Sequence, residues 1–297
     1  MSVARHIKDA FRALGHQARV LSYELDWRVP AVAVAEVIQG RRWKAPDILD
    51  HLRGIIEARK VNLVLPFVDP AVELCARLKP LCPGVFIPVS DETLCHAMFD
   101  KLLAYRLFAE KGLPQPPLAG DTFPRIYKPR TGSASKGIIV ARSAREVPPH
   151  ICADDYQIQQ FVEDAREFTV DCYVRTDGEV LSVVPRERLE TAGGEAMRSI
   201  TVADPDLLAL SHRVLDALPL RGPVTLQFLR TPGGEYLLME INPRLGGGVV
   251  TGIGAGSRMP QMLAQETLGL KPEPFHDWVP GTLMTRYTQE IIFAPCR

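Results

Sequence analysis

In the stretch Leu237-Leu-Met-Glu-Ile-Asn-Pro-Arg244, two oxygen-bearing side chains are separated by one apolar residue. On a strand, that spacing turns Glu240 and Asn242 to one face and Ile241 to the other. A carboxylate and an amide on one face suit a hard cation such as Mg²⁺, which takes oxygen ligands and shares them with nucleotide phosphates. Arg244, just past Pro243, carries the planar fork that grips a phosphate oxygen or a carboxylate. Upstream, Val224-Thr-Leu-Gln-Phe-Leu-Arg230 carries Gln227. A two-residue hairpin loop at Gly233-Gly234 would place Gln227 directly opposite Glu240. A four-residue loop would keep it on that face, opposite Leu238. The plain alternative is a solvated strand face; against it stand two very apolar strands and the glycine-rich segment that follows.

Two further segments carry weaker chemistry. In Ile126-Tyr-Lys-Pro-Arg-Thr-Gly-Ser-Ala-Ser-Lys-Gly137, a strand delivers Lys128 into a loop of small residues. Such a loop can lay backbone N–H groups on phosphate oxygens while the lysine offsets their charge, although a mobile hairpin has the same composition. The spacing is not that of a P-loop nucleotidase, and no helix obviously follows. Gln157-Ile-Gln-Gln-Phe-Val-Glu-Asp-Ala-Arg-Glu-Phe-Thr-Val-Asp171 reads, by itself, as two strands with a polar turn.

The elements that must position these residues change character along the chain. Helical spacing of Val3, Ile7, Phe11 and Leu14 predicts a first helix stopped by Gly15. A strand at 18–23, a helix at about 46–59, a strand at 61–66, a helix at about 70–78 and a strand at 85–89 follow. Alternation of strands and helices predicts a doubly wound parallel sheet in an α/β domain over residues 1–90. A helix over 91–111 leads through the proline-rich connector 112–117. Beyond it, short strands joined by hairpins predict an α+β region, with strands at 125–128, 137–141, 156–161, 167–174, 180–185, 224–230 and 236–241. Helices are expected at 205–218 and about 258–268. Asp177-Gly178 and Gly233-Gly234 are the hairpin signals.

Composition bounds the function classes. The 297 residues are 46% hydrophobic and 24% charged, with 35 basic and 35 acidic side chains. Zero formal charge and the lack of a basic stripe speak against a nucleic-acid binder. No apolar run approaches the roughly 20 residues of a membrane span. The six cysteines show no zinc-like or C-x-x-C spacing, so reduced thiols packed as small hydrophobes in a cytoplasmic protein are the expectation.

Taken in order, Asp100-Lys101, Lys128 with its glycine loop, Gln160-Phe-Val-Glu163 followed by Glu167, Gln227, and Glu240-Ile-Asn-Pro-Arg244 resemble the ATP-grasp superfamily, most closely its carbamoyl-phosphate-synthase-like branch. The resemblance runs over nearly the whole chain, and its specificity lies in the constellation. It implies a small ATP-grasp subdomain over 91–162 and a large one over 163–297, with ATP clamped between two antiparallel sheets. By the same resemblance Lys101 and Lys128 are phosphate-contacting cations. Ser133, Ser135, Lys136 and Gly137 belong to a lid over the β- and γ-phosphates. Gln160, Phe161 and Val162 form the hinge whose backbone reads adenine, and Glu167 accepts from the ribose. Gln227, Glu240 and Asn242 match metal ligands for Mg²⁺ or Mn²⁺. Arg244, with Lys128, matches the catalytic cations. Arg186 and Arg188 sit where the branch often has substrate-side residues, or on a simple charged strand.

The activity so implied joins a small-molecule carboxylate, activated by ATP as an acyl phosphate, to an amine; a homodimer is compatible with it. A non-catalytic nucleotide-binding subunit and a carbamate-kinase-type phosphotransferase are the alternatives. Two departures stand out. The chain starts inside what is the first helix of the family's N-terminal domain, so the first, central strand of that sheet is expected to be absent. Gln160 replaces the acidic hinge residue common elsewhere, which matters little if the contact is made by backbone.

Overall fold

The computed structural model describes residues 2–132 and 135–293. Its N-terminal unit holds α1 (Ser2–Ala13), β1 (Leu21–Glu24), β2 (Glu36–Gln39), α2 (Ile48–Arg59) and α3 (Asp69–Leu78). β1 and β2 pair in parallel over four residues. The segments expected as strands at 61–66 and 85–89 run side by side but form one parallel bridge, Leu63 to Phe86. Two backbone bonds, Val64 N–H to Phe86 O at 3.0 Å and Phe86 N–H to Asn62 O at 2.8 Å, hold them. Parallel pairing is therefore present but short, and among the described residues β1 does not pair with 61–66. The sequence reading missed β2, whose Val37 and Ile38 are too brief an apolar signal. Helices α2 and α3 cover this unit with Ile56, Val72, Cys75, Leu78, Ile87 and Val89 as its core.

The helix expected over 91–111 is two helices, α4 (Glu92–Phe99) and α5 (Lys101–Glu110). The break falls at Asp100, whose extended backbone lets its carboxylate accept from Leu102 N–H at 3.0 Å and Leu103 N–H at 3.2 Å. A capped helix start satisfies N–H groups that otherwise have no partner inside the helix.

A three-stranded antiparallel sheet follows: β3 (Arg125–Pro129), β4 (Ile139–Ala141) and β5 (Tyr156–Gln160), in the order β4-β3-β5. The larger sheet is built from β6 (Arg166–Val174), β7 (Val180–Ala192), β8 (Glu195–Thr201), β9 (Gly222–Arg230), β10 (Tyr236–Asn242) and β11 (Leu283–Thr285), in the order β10-β9-β6-β7-β8-β11. β7 runs seven residues beyond its expected end, and β8 and β11 were not expected. All three carry charged or mixed stretches, where pairing to a neighbour decides strand structure more than alternation does. The helices of this part are α6 (Pro205–Ala217), the short unexpected α7 (Val250–Gly254) and α8 (Met259–Thr267).

One face of the large sheet buries Val170, Cys172, Leu226, Phe228, Leu238 and Ile241 under α4, α5 and α6. The other face is apolar at one end, where Tyr173, Leu181 and Val184 meet α8, and polar at the other, where Glu167, Thr169, Gln227, Glu240 and Asn242 lie. That polar end comes close to β5 of the small sheet. Among the described residues no helix is long and apolar enough to cross a membrane.

Candidate active site in the cleft between the two antiparallel sheets

The β9–β10 hairpin puts Glu240 opposite Gln227, as expected, but by a different route. The loop is not two residues. Thr231 N–H donates to Glu235 O and Gly234 N–H to Thr231 O, both at 2.9 Å, which leaves a three-residue turn, Pro232-Gly233-Gly234. Pro232 suits the first position of a tight turn and Gly234 takes the positive φ of 92° that such turns require. This register pairs Leu238 with Phe228, and regular alternation would turn Glu240 to the core. A bulge at Met239 shifts the ladder by one residue. A bulge places two residues against one, so Glu240 returns to the polar face and Ile241 to the core.

Beyond the bulge, Asn242 pairs with Thr225, whose hydroxyl donates to Arg244 O at 2.9 Å. The Arg244 guanidinium donates from Nε to Asp69 Oδ1 at 2.6 Å, from Nη2 to Asn242 Oδ1 at 3.2 Å and from Nη1 to Leu245 O at 3.2 Å. Burial pushes the Glu240 carboxyl above its ordinary pKa; Lys101 pulls it back, Asp69 raises it further, and Lys128 and Arg244 also pull down.

The facing wall comes from β5, β3 and α5. Lys128 is 6% exposed and donates from Nζ to Gln159 Oε1 at 3.0 Å. Burial lowers its pKa to about 8, against the pull of Glu240. Lys101 opens α5, its backbone N–H on Arg130 O and its Nζ on Gly132 O, both at 2.9 Å. Gln157 donates to Lys101 O at 3.1 Å. Lys101, Gln157, Gln159 and Glu240 thus line one narrow cleft. Next to it lies a second, shared by Asp69, Gly132, Glu240 and Asn242.

Other expected site residues sit around this centre. In the lid, Ser135 and Gly137 have positive φ (56° and 74°). Lys136 is exposed, and among the described residues no hydrogen bond ties it to the cleft. Ser133 lies outside the described residues. In the hinge, the N–H groups of Gln160 and Phe161 are used within the fold, on Pro117 O and Pro124 O at 3.0 Å each. The Gln160 side chain donates to Pro124 O at 2.9 Å and accepts from Thr122 at 3.2 Å. Those two donors are not turned outward; Val162 is the next along the hinge. Glu167 pairs with Arg188 at 2.8 Å.

Arg186 is not on a simple charged strand. It is 2% exposed, and its Nε meets Asp171 Oδ2 at 2.7 Å. Gly248 lies so close that a Cβ there would stand 2.5 Å from the Arg186 guanidinium carbon. Arg286, beyond β11, clips this glycine loop by donating to Gly247 O and pairing with Glu195 at 2.7 Å. The sequence reading missed Asp69, Gln157, Gln159 and Asp171. Alternation in Gln157-Ile-Gln159 would have placed both glutamines on one face; Asp69 carries no local signal beyond opening a helix.

A polar cleft between two antiparallel sheets, with cations on one wall and an acid-amide face on the other, is the arrangement of the ATP-grasp fold. Comparison with known proteins agrees. Residues 158–290 match the family model described as ATP-grasp in the biosynthetic pathway with Ter operon. Among solved structures, the biotin carboxylase domain of the Hydrogenobacter thermophilus 2-oxoglutarate carboxylase, in complex with MgADP and bicarbonate, aligns at TM-score 0.73 and 14% identity, over 94% of this chain and 70% of that one. N5-carboxyaminoimidazole ribonucleotide synthetase from Thermotoga maritima aligns at 0.66 and 20%, over 92% and 74%. L-amino acid ligase from Bacillus licheniformis aligns at 0.68 and 18%, over 89% and 72%. No curated protein matches the sequence. The chain thus shares the fold of these ATP-dependent enzymes, and residues 158–290 carry the ATP-grasp family match.

Proposed function

We propose that this protein is an ATP- and Mg²⁺-dependent ligase that activates a carboxylate as an acyl phosphate and passes the acyl group to an amine. The observation that carries the reading is that Lys101 and Glu240 line one cleft, with Lys128 close enough to feel the charge of both and Gln227 and Asn242 on the face of Glu240. The domain division at 90 and 162 is part of the reading.

The donor set fits the metal. Among the described residues no three His, Cys, Asp or Glu side chains gather to hold an ion. One carboxylate and two amides make a weak cage by themselves but suit Mg²⁺, which keeps waters and shares phosphate oxygens. Glu240, Asn242 and Gln227 would hold it, and it would supply positive charge beside the triphosphate. Asn242 Oδ1 would then be shared with Arg244.

The remaining work falls to the chain's own groups. A carboxylate oxygen attacks the γ-phosphorus, the bond from that phosphorus to the β,γ-bridging oxygen breaks, and ADP leaves with the electron pair. Lys101 and Lys128 hold triphosphate charge in a site with little water, where such charges act strongly. Arg244 steadies the transferring group. The lid at 135–137 excludes water from the acyl phosphate. An amine lone pair then attacks the acyl carbon, phosphate departs with its bonding electrons, and the amine gives up a proton.

The test is a screen for ADP release over amino acids and short peptides with Mg-ATP, followed by product analysis, which separates a ligase from a phosphotransferase. Glu240→Gln removes the one carboxylate of the metal face. It should abolish ADP formation while leaving the melting temperature close to that of the parent. Parental turnover in that variant would refute the assignment.

A further inference from the structure

Asp69 belongs to the N-terminal unit, as the first residue of α3, yet its carboxylate lies in the cleft wall beside Glu240 and Asn242. The cap position of that helix is held by Val68, not by Asp69. Its bond is to Arg244 Nε, across 175 residues of sequence, at 2.6 Å, with the two side chains 12% and 16% exposed. A second acid so near Glu240 is electrostatically costly. Arg244 offsets it, and in return the guanidinium is held at Nε by Asp69 while its Nη groups make longer, 3.2 Å bonds to Leu245 O and Asn242 Oδ1. A free arginine carries about 2 kcal/mol of side-chain rotamer entropy. With the rigid plane fixed through Nε, both Nη groups can exchange their 3.2 Å bonds for an incoming oxyanion with little further ordering.

We propose that Asp69 is a positioning residue, which sets the plane of Arg244 for the transferring phosphoryl group from a different domain than the one that carries the arginine. The proposal rests on the role given to Arg244 above. It makes the N-terminal unit a participant in the chemistry, and it assigns a use to a residue that neither metal nor nucleotide requires.

The experiment compares the parent with Asp69→Asn and Asp69→Glu in the full chain. ADP release is followed at saturating Mg-ATP with the carboxylate found by the screen, and affinity for Mg²⁺ plus β,γ-imido-ATP is measured by calorimetry. Asp69→Asn should lose about 100-fold in kcat, the cost of misplacing a reacting group by a fraction of a bond length to one ångström. Its KM for ATP and its imido-ATP affinity should stay within about twofold of the parent, the signature of a contact that matters in the transition state. Asp69→Glu should recover part of the rate. In ¹⁵N spectra the Arg244 Nε–H, assigned by its loss in Arg244→Lys, should be slow to exchange in the parent and lost to exchange in Asp69→Asn. Parental kcat in Asp69→Asn overturns the proposal, as does a rate loss matched by equal losses of nucleotide affinity and melting temperature. If the parent releases ADP with no carboxylate, the ligase reading has failed, and the Nε–H signal decides separately: its loss in Asp69→Asn supports the positioning contact, and its persistence overturns it.

Discussion

Lys128 is a cation kept where cations are uncomfortable. Its ammonium rests on an uncharged amide oxygen, and burial holds its pKa at about 8, with Glu240 and Glu167 too weak to restore the ordinary value and Lys101 pressing it down. A triphosphate would supply the missing counter-charge. The sign follows. Below about pH 8 the ammonium is already charged and meets the phosphate directly; above it, binding must first take up a proton. Nucleotide affinity should therefore fall by up to about tenfold per pH unit on the alkaline side. Lys128→Ala should bind weakly with no such slope, and Lys128→Arg should flatten it, since a guanidinium stays charged. Calorimetric titration with imido-ATP across that range checks both; a parent whose affinity is unchanged by alkali would remove Lys128 from the phosphate site. Residue type and order in the sequence pointed to this lysine, whereas its depressed pKa could not be read there, because it comes first from burial of the ammonium in the folded protein and then from Lys101 nearby.

At the scale of elements, two small irregularities set the site. The first is the corner at Asp100. Its carboxylate caps α5, pairs with Arg130 Nε at 2.6 Å, and is 4% exposed, so it fixes where Lys101 leaves the helix. Asp100→Ala should cost about 1–2 kcal/mol for the lost cap and weaken nucleotide binding as well. Asp100→Asn, which keeps a capping oxygen, should cost less of both. Thermal melts beside imido-ATP titrations would show it, and a destabilised Asp100→Ala with parental affinity would detach the corner from the site. The second irregularity is the bulge at Met239. Alternation alone correctly paired Glu240 with Asn242 on one face. It reached Gln227 through an assumed even loop, and the real odd turn and the bulge together gave the same facing. Hydrophobic runs made β6, β9, β10 and α6 legible. β8 and β11 were not, because Glu195 to Thr201 carries Arg198, Ser199 and Glu195 and is a strand through its partners β7 and β11.

At the scale of the whole molecule, the N-terminal unit docks on the large sheet at Gly222. Its φ is 73°, and a Cβ there would stand 2.0 Å from Pro88 O. Next to it, Arg221 N–H donates to the Ser90 hydroxyl at 3.0 Å. Gly222→Ala meets both a left-handed backbone, worth about 1–2 kcal/mol for a side-chain-bearing residue, and a collision with a carbonyl that cannot easily retreat. It should lower the melting temperature and speed amide exchange through 61–90. Unchanged exchange there would mean that the two units are joined elsewhere. This seam had no sequence signature: Gly222 and Pro223 lie just outside the strand expected at 224–230 and open β9 in the structure. The Asp69–Arg244 contact spans the same seam, and it carries a consequence in time. The two residues are separated by 175 positions, which a ribosome at about 5–20 residues per second covers in roughly 10–35 s. For that interval Asp69 has been made and its arginine has not, so a growing chain can fold α3 and the small sheet long before it owns a site able to do chemistry.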